Sequence, residues 1–139
     1  MVDFLTDEEI QCVHAATDIT GFGLAGHGYQ LAKASGVTLL LDHQKIPQMK
    51  KLKEALENGF ITKAHKSNNE YTLNRLSFKA PLTDLEKLIY YDPQTSGGLL
   101  LSVRAKVAPA MVEKLKSHFP GTTIIGSVSV KSEYDVIVE

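Results

Sequence analysis

Three glycines with the spacing G-x-G-x-x-G constrain the first part of this 139-residue chain more than any other feature. Gly21, Gly23 and Gly26 lie within the stretch ATDITGFGLAGH. A short apolar stretch precedes these glycines and a helical pattern follows them. A glycine-rich turn between a strand and a helix can bring backbone N–H groups close to a phosphate. The spacing therefore predicts a sharp strand-to-helix turn and makes a nucleotide a candidate ligand.

A dinucleotide-binding Rossmann unit is one interpretation of this spacing. Asp42 ends the next predicted strand about 20 residues after the first glycine, where an acid that binds a ribose would lie. Two features count against this interpretation. The residues TDIT separate the strand from the glycines, so that Asp18 would place a carboxylate beside the phosphates and repel them. The chain also lacks the repeated strand–helix alternation of a doubly wound sheet.

Asp18 supports a different interpretation. A carboxylate beside a glycine-rich bend can bind Mg²⁺ when the ligand is a nucleotide phosphate, because Mg²⁺ usually takes one or two carboxylates together with phosphate oxygens and waters. The structural alternative is that Asp18 caps the following helix or closes a turn through its own backbone. The residues alone leave both roles open. His27, on the following helix, could face the nucleotide, although a backbone or solvent partner is the simpler expectation.

The hydrophobic pattern, with helices and strands interleaved, predicts an α+β or α/β fold packed in layers. Capping boxes at TDEE and TDLE predict the starts of two helices, and Gly36 and Gly59 are expected to end two others. The helix that ends at Gly36 is predicted to start at Gly21, and the one that ends at Gly59 covers QMKKLKEALENG. One further helix is predicted over APAMVEKLKSHF. The polar segment from Ile61 to Ser77 is predicted to be a loop followed by a short helix. Strands are predicted at QCVHAAT, VTLLLD, LLLSVR, TTIIGSVSV and YDVIVE, the last two forming a hairpin through the turn KSE.

The composition excludes several classes of protein. A net charge of −1 provides no basic field that would attract nucleic acid or an acidic membrane. The single cysteine, Cys12, cannot form an intramolecular disulfide, and beside a predicted buried strand it is expected to be an inert thiol. No apolar stretch is long enough to span a membrane, and the first ten residues are too acidic for a signal peptide. We therefore expect a cytoplasmic protein that binds neither nucleic acid nor a membrane.

A second motif, YYDPQTSGGLLLSV, lies between Tyr90 and Val103. Its proline fixes a turn, and Thr95, Ser96 and Gly97 supply hydroxyl groups and a flexible backbone just before a buried strand. Successive N–H groups in such a loop can face an anion, which makes these three residues candidates for binding an anionic ligand. The same loop could equally be a tight entry into a strand with no ligand.

Together, ATDITGFGLAGH and DPQTSGGLL resemble the motifs of selenophosphate synthetase, also called selenide, water dikinase. More specifically, they are similar to its C-terminal domain, a type shared with aminoimidazole ribonucleotide synthetase. The resemblance extends from Val13 to Glu139 and includes IIGSVSV before the final strand. The segment ITKAHKSNNEYTLNRLSF departs from this family, in which a glycine-rich turn similar to PGGT usually precedes an asparagine.

The resemblance implies a phosphotransferase that converts ATP, selenide and water into selenophosphate, AMP and phosphate. It also implies Mg²⁺ dependence and a homodimer. In such enzymes the nucleotide, most metal ligands, a catalytic lysine and a cysteine or selenocysteine belong to an N-terminal domain. Transferred to this sequence, the aspartate of TDITGFG, Asp18, would be a Mg²⁺ ligand and part of the active-site wall, and no catalytic residue would lie in this chain.

The resemblance also implies the fold and the domain organisation. The expected fold is α+β, a mixed β-sheet flanked by α-helices. Residues 1–12 are predicted to be an N-terminal lead-in and residues 13–139 a single domain of this C-terminal type, with the N-terminal ATP-binding domain absent. Such a chain is expected to be inactive alone. Two other classes remain open: a non-catalytic dimerisation or scaffold module, and a domain of a related purine-biosynthesis or hydrogenase-maturation protein.

Overall fold

The computed structural model describes residues 4–139, so that residues 1–3 of the predicted lead-in lie outside it. Short helices and strands are interleaved along the chain in a mixed order, as the hydrophobic pattern predicts. In chain order they are α1 (Asp7–Ile10), β1 (Val13–Asp18), α2 (Gly23–Ser35), β2 (Val37–Leu41), a 3₁₀ turn (His43–Lys45), α3 (Leu52–Glu57), α4 (Lys63–Tyr71), β3 (Leu76–Phe78), α5 (Asp84–Tyr91), β4 (Leu99–Val103), α6 (Ala108–Lys116), β5 (Gly126–Val130) and β6 (Val136–Val138).

The larger sheet is mixed, as predicted. Its strand order is β3-β6-β2-β5, with β6 parallel to both β2 and β3, and β5 antiparallel to β2. The predicted hairpin of β5 and β6 is therefore wrong, because β2 lies between these two strands. The buried Thr38 of β2 fixes this crossover: its hydroxyl donates to the Tyr134 carbonyl at 2.7 Å and accepts from the Ser132 amide at 2.9 Å.

A separate two-stranded ribbon is formed by β1 and β4, which pair in antiparallel orientation with Asp18 opposite Leu99. This arrangement rules out the Rossmann interpretation, because β1 would then lie beside a parallel strand of the same sheet as β2. Asp42, the candidate ribose ligand, instead caps the 3₁₀ turn, where it accepts from the Gln44 amide at 3.0 Å and pairs with Lys45 at 2.7 Å.

The main hydrophobic core lies between the four-stranded sheet and the helices α2 and α5. Tyr90, Val136 and Val138 are fully buried at its centre. A second apolar cluster joins Leu5 to Met111 and Leu115, so that the beginning of the described chain packs against α6.

Local sequence signals locate several helix ends correctly. Thr6 and Thr83 begin α1 and α5 with the predicted capping boxes, and Gly36 ends α2 with a positive φ of 64°. The helix predicted over QMKKLKEALENG, from Gln48, is shorter than expected: α3 begins at Leu52, and Met49 is 83% exposed. The segment from Ile61 to Ser77 is also corrected, because its helix comes first, as α4, and a turn and β3 follow.

Candidate functional site

The two sequence motifs meet at the end of the two-stranded ribbon. We call residues 19–22 the first loop and residues 92–98 the second loop; they follow β1 and α5 respectively. The Ile19 amide donates to the Gly98 carbonyl at 2.9 Å, and the Gln94 amide donates to the Thr20 carbonyl at 3.1 Å. These hydrogen bonds bring two stretches that are far apart in sequence into direct backbone contact.

Gly97 allows the two loops to approach this closely. A Cβ atom at this position would overlap the carbonyl oxygen of Ile19 and contact the side chain of Gln94. The glycine of the second motif is therefore explained by packing between the loops. Thr95 and Ser96 are exposed, and within the described chain their hydroxyl groups form no hydrogen bond.

Asp18 is the last residue of β1 and its side chain is exposed beside this junction. Within residues 4–139 its carboxylate makes no hydrogen bond and no ion pair; the contact at its backbone carbonyl comes from the Thr17 hydroxyl. The N-cap position of α2 is occupied by Phe22, without a side-chain hydrogen bond. The structure therefore gives no support to Asp18 as a helix cap, and its carboxylate is accessible to a ligand.

Helix α4 and its C-cap residue, Thr72, contribute a buried polar stripe that the sequence pattern did not predict. His65, Asn68 and Thr72 are only 2%, 3% and 2% exposed, with a helical spacing of three and four residues. An amphipathic helix is ordinarily recognised by apolar residues at this spacing, and here the buried residues are polar. The sequence signal that could have indicated this stripe was the helical spacing of three polar residues within a polar and charged segment.

Asn68 connects the first loop and the C-terminal end of α5 to α4. Its side-chain nitrogen donates to the Gly21 carbonyl at 2.8 Å and to the Tyr91 carbonyl at 2.9 Å. His65 provides a second connection: its Nδ1 accepts from the Thr62 amide at 3.2 Å, and its Nε2 lies 3.3 Å from a carboxylate oxygen of Asp92. The segment that departs from the expected family pattern thus fixes the position of both motifs.

The glycine-rich turn itself has a structural explanation. Gly23 has a positive φ of 68°, and a Cβ atom there would lie 2.7 Å from the Tyr90 carbonyl oxygen, so that α2 packs directly on the end of α5. His27 is buried and its Nε2 lies 2.9 Å from the Thr20 hydroxyl. It thus has a partner within the protein.

Burial raises the pKa of the Tyr91 hydroxyl, so this group is neutral at physiological pH.

The described residues could contribute to a Mg²⁺ site, but they do not form a complete one by themselves. Among residues 4–139 no group of three or more His, Cys, Asp or Glu side chains is placed to hold a metal ion. A single hard carboxylate oxygen is nevertheless a normal contribution to Mg²⁺, which binds through one or two carboxylates, phosphate oxygens and waters.

None of the helices in the described chain is long and apolar enough to cross a membrane.

Comparison with known proteins identifies the class. The sequence matches the family described as "AIR synthase related protein, C-terminal domain" over residues 2–139, and the chain belongs to this family. Among solved structures, a chain of the crystal structure of the HypE–HypF complex has the same fold, with a TM-score of 0.63 at 21% identity; the similarity covers 93% of this chain and 33% of that one.

Within this class, the chain is similar to curated selenide, water dikinases. The one from Bdellovibrio bacteriovorus is 51% identical over 99% of this chain and 39% of its own length. The one from Nitrosomonas eutropha is 42% identical over 100% of this chain and 40% of its own length. The one from Caldanaerobacter subterraneus is 39% identical over 91% of this chain and 37% of its own length. The chain thus spans about two fifths of the length of these relatives.

Proposed function

We propose that this chain forms the C-terminal domain of a selenophosphate synthetase. The complete enzyme would convert ATP, selenide and water into selenophosphate, AMP and phosphate. The 51% identity to the Bdellovibrio enzyme over nearly the whole chain is the observation that carries this proposal. Residues 13–139 would be the domain, and residues 1–12 a lead-in of which Leu5 packs on α6.

In this function Asp18 supplies one carboxylate ligand to Mg²⁺ bound with ATP. Three observations support this role: the carboxylate is exposed, it has no hydrogen-bond partner within the described chain, and it lies beside the junction of the two family motifs. Mg²⁺ would neutralise charge on the phosphates during phosphoryl transfer. The remaining ligands would come from the rest of the complete protein and from ATP.

The chain's own residues hold that carboxylate in place. The hydrogen bonds of Ile19 and Gln94 attach the first loop to the second, and Asn68 attaches the first loop and the end of α5 to α4. Thr95, Ser96 and Gly97 would form the adjacent wall of the ATP site. Phosphoryl transfer depends mainly on positioning and charge stabilisation, so a rigid junction of this kind is what the reaction requires.

The proposed partners follow from the same function. ATP and selenide would be substrates of the complete protein, which would be a cytoplasmic homodimer.

A chimera tests this proposal. The part of the Bdellovibrio enzyme that this chain does not match is fused to this chain in place of the enzyme's own C-terminal domain. We expect AMP production that depends on both selenide and Mg²⁺. The matched variants are Asp18→Asn, expected to lower the rate by orders of magnitude, and Asp84→Asn, expected to have little effect because Asp84 is fully exposed at the start of α5.

A non-catalytic scaffold module is the alternative. It predicts that a folded chimera has no selenide-dependent turnover, or that Asp18→Asn leaves the rate unchanged at limiting Mg²⁺. Either result would contradict the proposed role of this domain. The HypE likeness, at 21% identity, supports the fold and does not favour a hydrogenase-maturation role.

A further inference from the structure

The side chain of Asn68 occupies an unusual position in α4. It is 3% exposed, in a helix whose other residues are mostly charged or polar and exposed. Its nitrogen carries two hydrogens, and it donates to two carbonyl oxygens from different parts of the chain, Gly21 and Tyr91. One amide group therefore joins the first loop to the residue that immediately precedes the second loop.

These two carbonyl groups depend on Asn68. No other hydrogen bond to either oxygen is formed within residues 4–139. The Tyr91 carbonyl is buried, and a buried carbonyl without a donor is unfavourable, so loss of the amide would destabilise the end of α5 and release the first loop at Gly21. Asparagine is suited to this position, because its NH₂ group provides two donors from one atom.

The backbone continues directly from these contacts to Asp18. Gly21 lies three residues after Asp18, and the Ile19 and Thr20 backbone groups between them bond to the second loop. A shift of Gly21 would therefore be transmitted through a short, hydrogen-bonded segment. By contrast, Asn69 is exposed, and within the described chain its side chain forms no hydrogen bond with either loop.

We infer that Asn68 is a positioning residue: by holding the Gly21 and Tyr91 carbonyl groups together, it sets where the Asp18 carboxylate lies. The inference deepens the proposed function, and its consequence for catalysis rests on that function. The geometric part, that Asn68 orders the two loops, stands on the hydrogen bonds alone and is tested separately.

The first test uses the unaltered chain and nuclear magnetic resonance. Because both hydrogens of the Asn68 side-chain amide are bonded and buried, we expect them to exchange with solvent at least about tenfold more slowly than those of Asn69. Equal exchange rates for the two side chains would overturn the inference, and this measurement requires no variant to fold.

The second test compares variants of the same chain. Asn68→Asp keeps the shape but removes both donors, and Asn68→Ala removes the whole group; Asn69→Asp and Asn69→Ala are the matched controls. We expect the Asn68 variants to speed exchange of the Ile19 and Gln94 backbone amides about tenfold or more, because each bonds across the loops. The Leu39 amide, in the sheet, should keep its rate. A uniform increase at all three amides, or none, would contradict the inference.

The third test measures catalysis in the same chimera with the Bdellovibrio enzyme. We expect Asn68→Asp to lower kcat about ten- to a hundredfold and to raise the Mg²⁺ concentration needed for half-maximal rate, whereas Asn69→Asp should change neither. If the chimera with Asn68 intact is inactive, the proposed function fails and the exchange results still decide the geometric part. If the chimera is active and Asn68→Asp leaves kcat and the Mg²⁺ dependence unchanged, the positioning role is wrong.

Discussion

Gly97 packs its α-carbon directly against the backbone carbonyl of Ile19, and the next residue, Gly98, accepts the Ile19 amide hydrogen bond at 2.9 Å. Two adjacent glycines thus lie beside the same residue, but the room for a Cβ atom differs between them. A Cβ atom on Gly97 would overlap the Ile19 oxygen, whereas one on Gly98 would meet no atom within 4 Å. The pair offers a matched test of how tightly the two loops are joined.

We expect Gly97→Ala to destabilise the chain by about 1–3 kcal/mol, because the new methyl group forces the two loops apart. Urea denaturation followed by circular dichroism measures this difference. Gly98→Ala is the control and should change the free energy of unfolding by less than about 0.5 kcal/mol. Equal effects of the two substitutions would show that the loops are not closely packed.

Asp18→Asn should leave the stability of the chain within about 0.5 kcal/mol of the original, because the carboxylate bonds to no described group. The same substitution in the chimera should reduce turnover strongly, so that stability and activity separate. Thermal denaturation beside rate measurements tests this separation. A large fall in melting temperature would instead assign Asp18 a structural role.

The isolated chain should fold but should not produce AMP from ATP and selenide. It would lack the groups that hold the phosphates, and these supply most of the catalysis of phosphoryl transfer. The measurement is AMP formation by the purified chain, with the chimera as the positive control. Selenide-dependent AMP production by the chain alone would disprove the assignment of the chemistry to the rest of the enzyme.

The edge strand β5 should promote self-association of the isolated chain. Val128 and Val130 are 46% and 88% exposed on this strand, and an exposed apolar edge favours pairing with another chain. Light scattering coupled to size-exclusion chromatography should show a dimer or concentration-dependent association. Val130→Lys should weaken association, and Met49→Lys, at an exposed residue outside the sheet, should not. A monomer at all concentrations would refute this expectation.

The contact between Glu9 and Lys114 should make the stability of the chain vary with pH in the acidic range. The Lys114 ammonium group, 2.7 Å away, and the Thr6 amide lower the pKa of Glu9. Its stabilising contribution is therefore complete above the ordinary carboxyl pKa of 4.5 and is lost as the pH falls through the lowered value. Glu9→Gln should reduce the melting temperature slightly at pH 7, and the difference should vanish in strong acid. A constant difference at every pH would contradict this account.

Local signals explain what the sequence could predict. Thr6 with Glu9, and Thr83 with Glu86, lie three residues apart and define helix starts whatever the rest of the chain does. Likewise Gly36 identifies the end of α2, because its left-handed backbone is easily reached only by glycine. The family motifs also predicted the mixed α+β fold correctly.

Long-range pairing explains what the sequence could not predict. The segments β5 and β6 are adjacent in sequence and β-like, yet Leu39 of β2 lies between Val128 and Val136. No pattern in five or six residues specifies that choice. Asn68 was missed for a related reason, since its two partners are carbonyl groups 47 and 23 residues away, and backbone acceptors leave no mark on the sequence.

The position of β6 has a consequence for biosynthesis. This strand follows all the other described strands in sequence but lies inside the sheet, between β2 and β3. During translation, β2 and β3 emerge from the ribosome long before the strand that joins them, and they expose unpaired backbone groups in the meantime. The sheet can therefore close only after the ribosome has released the segment around Val136, and a nascent chain stalled before that residue would be exposed to aggregation and proteolysis.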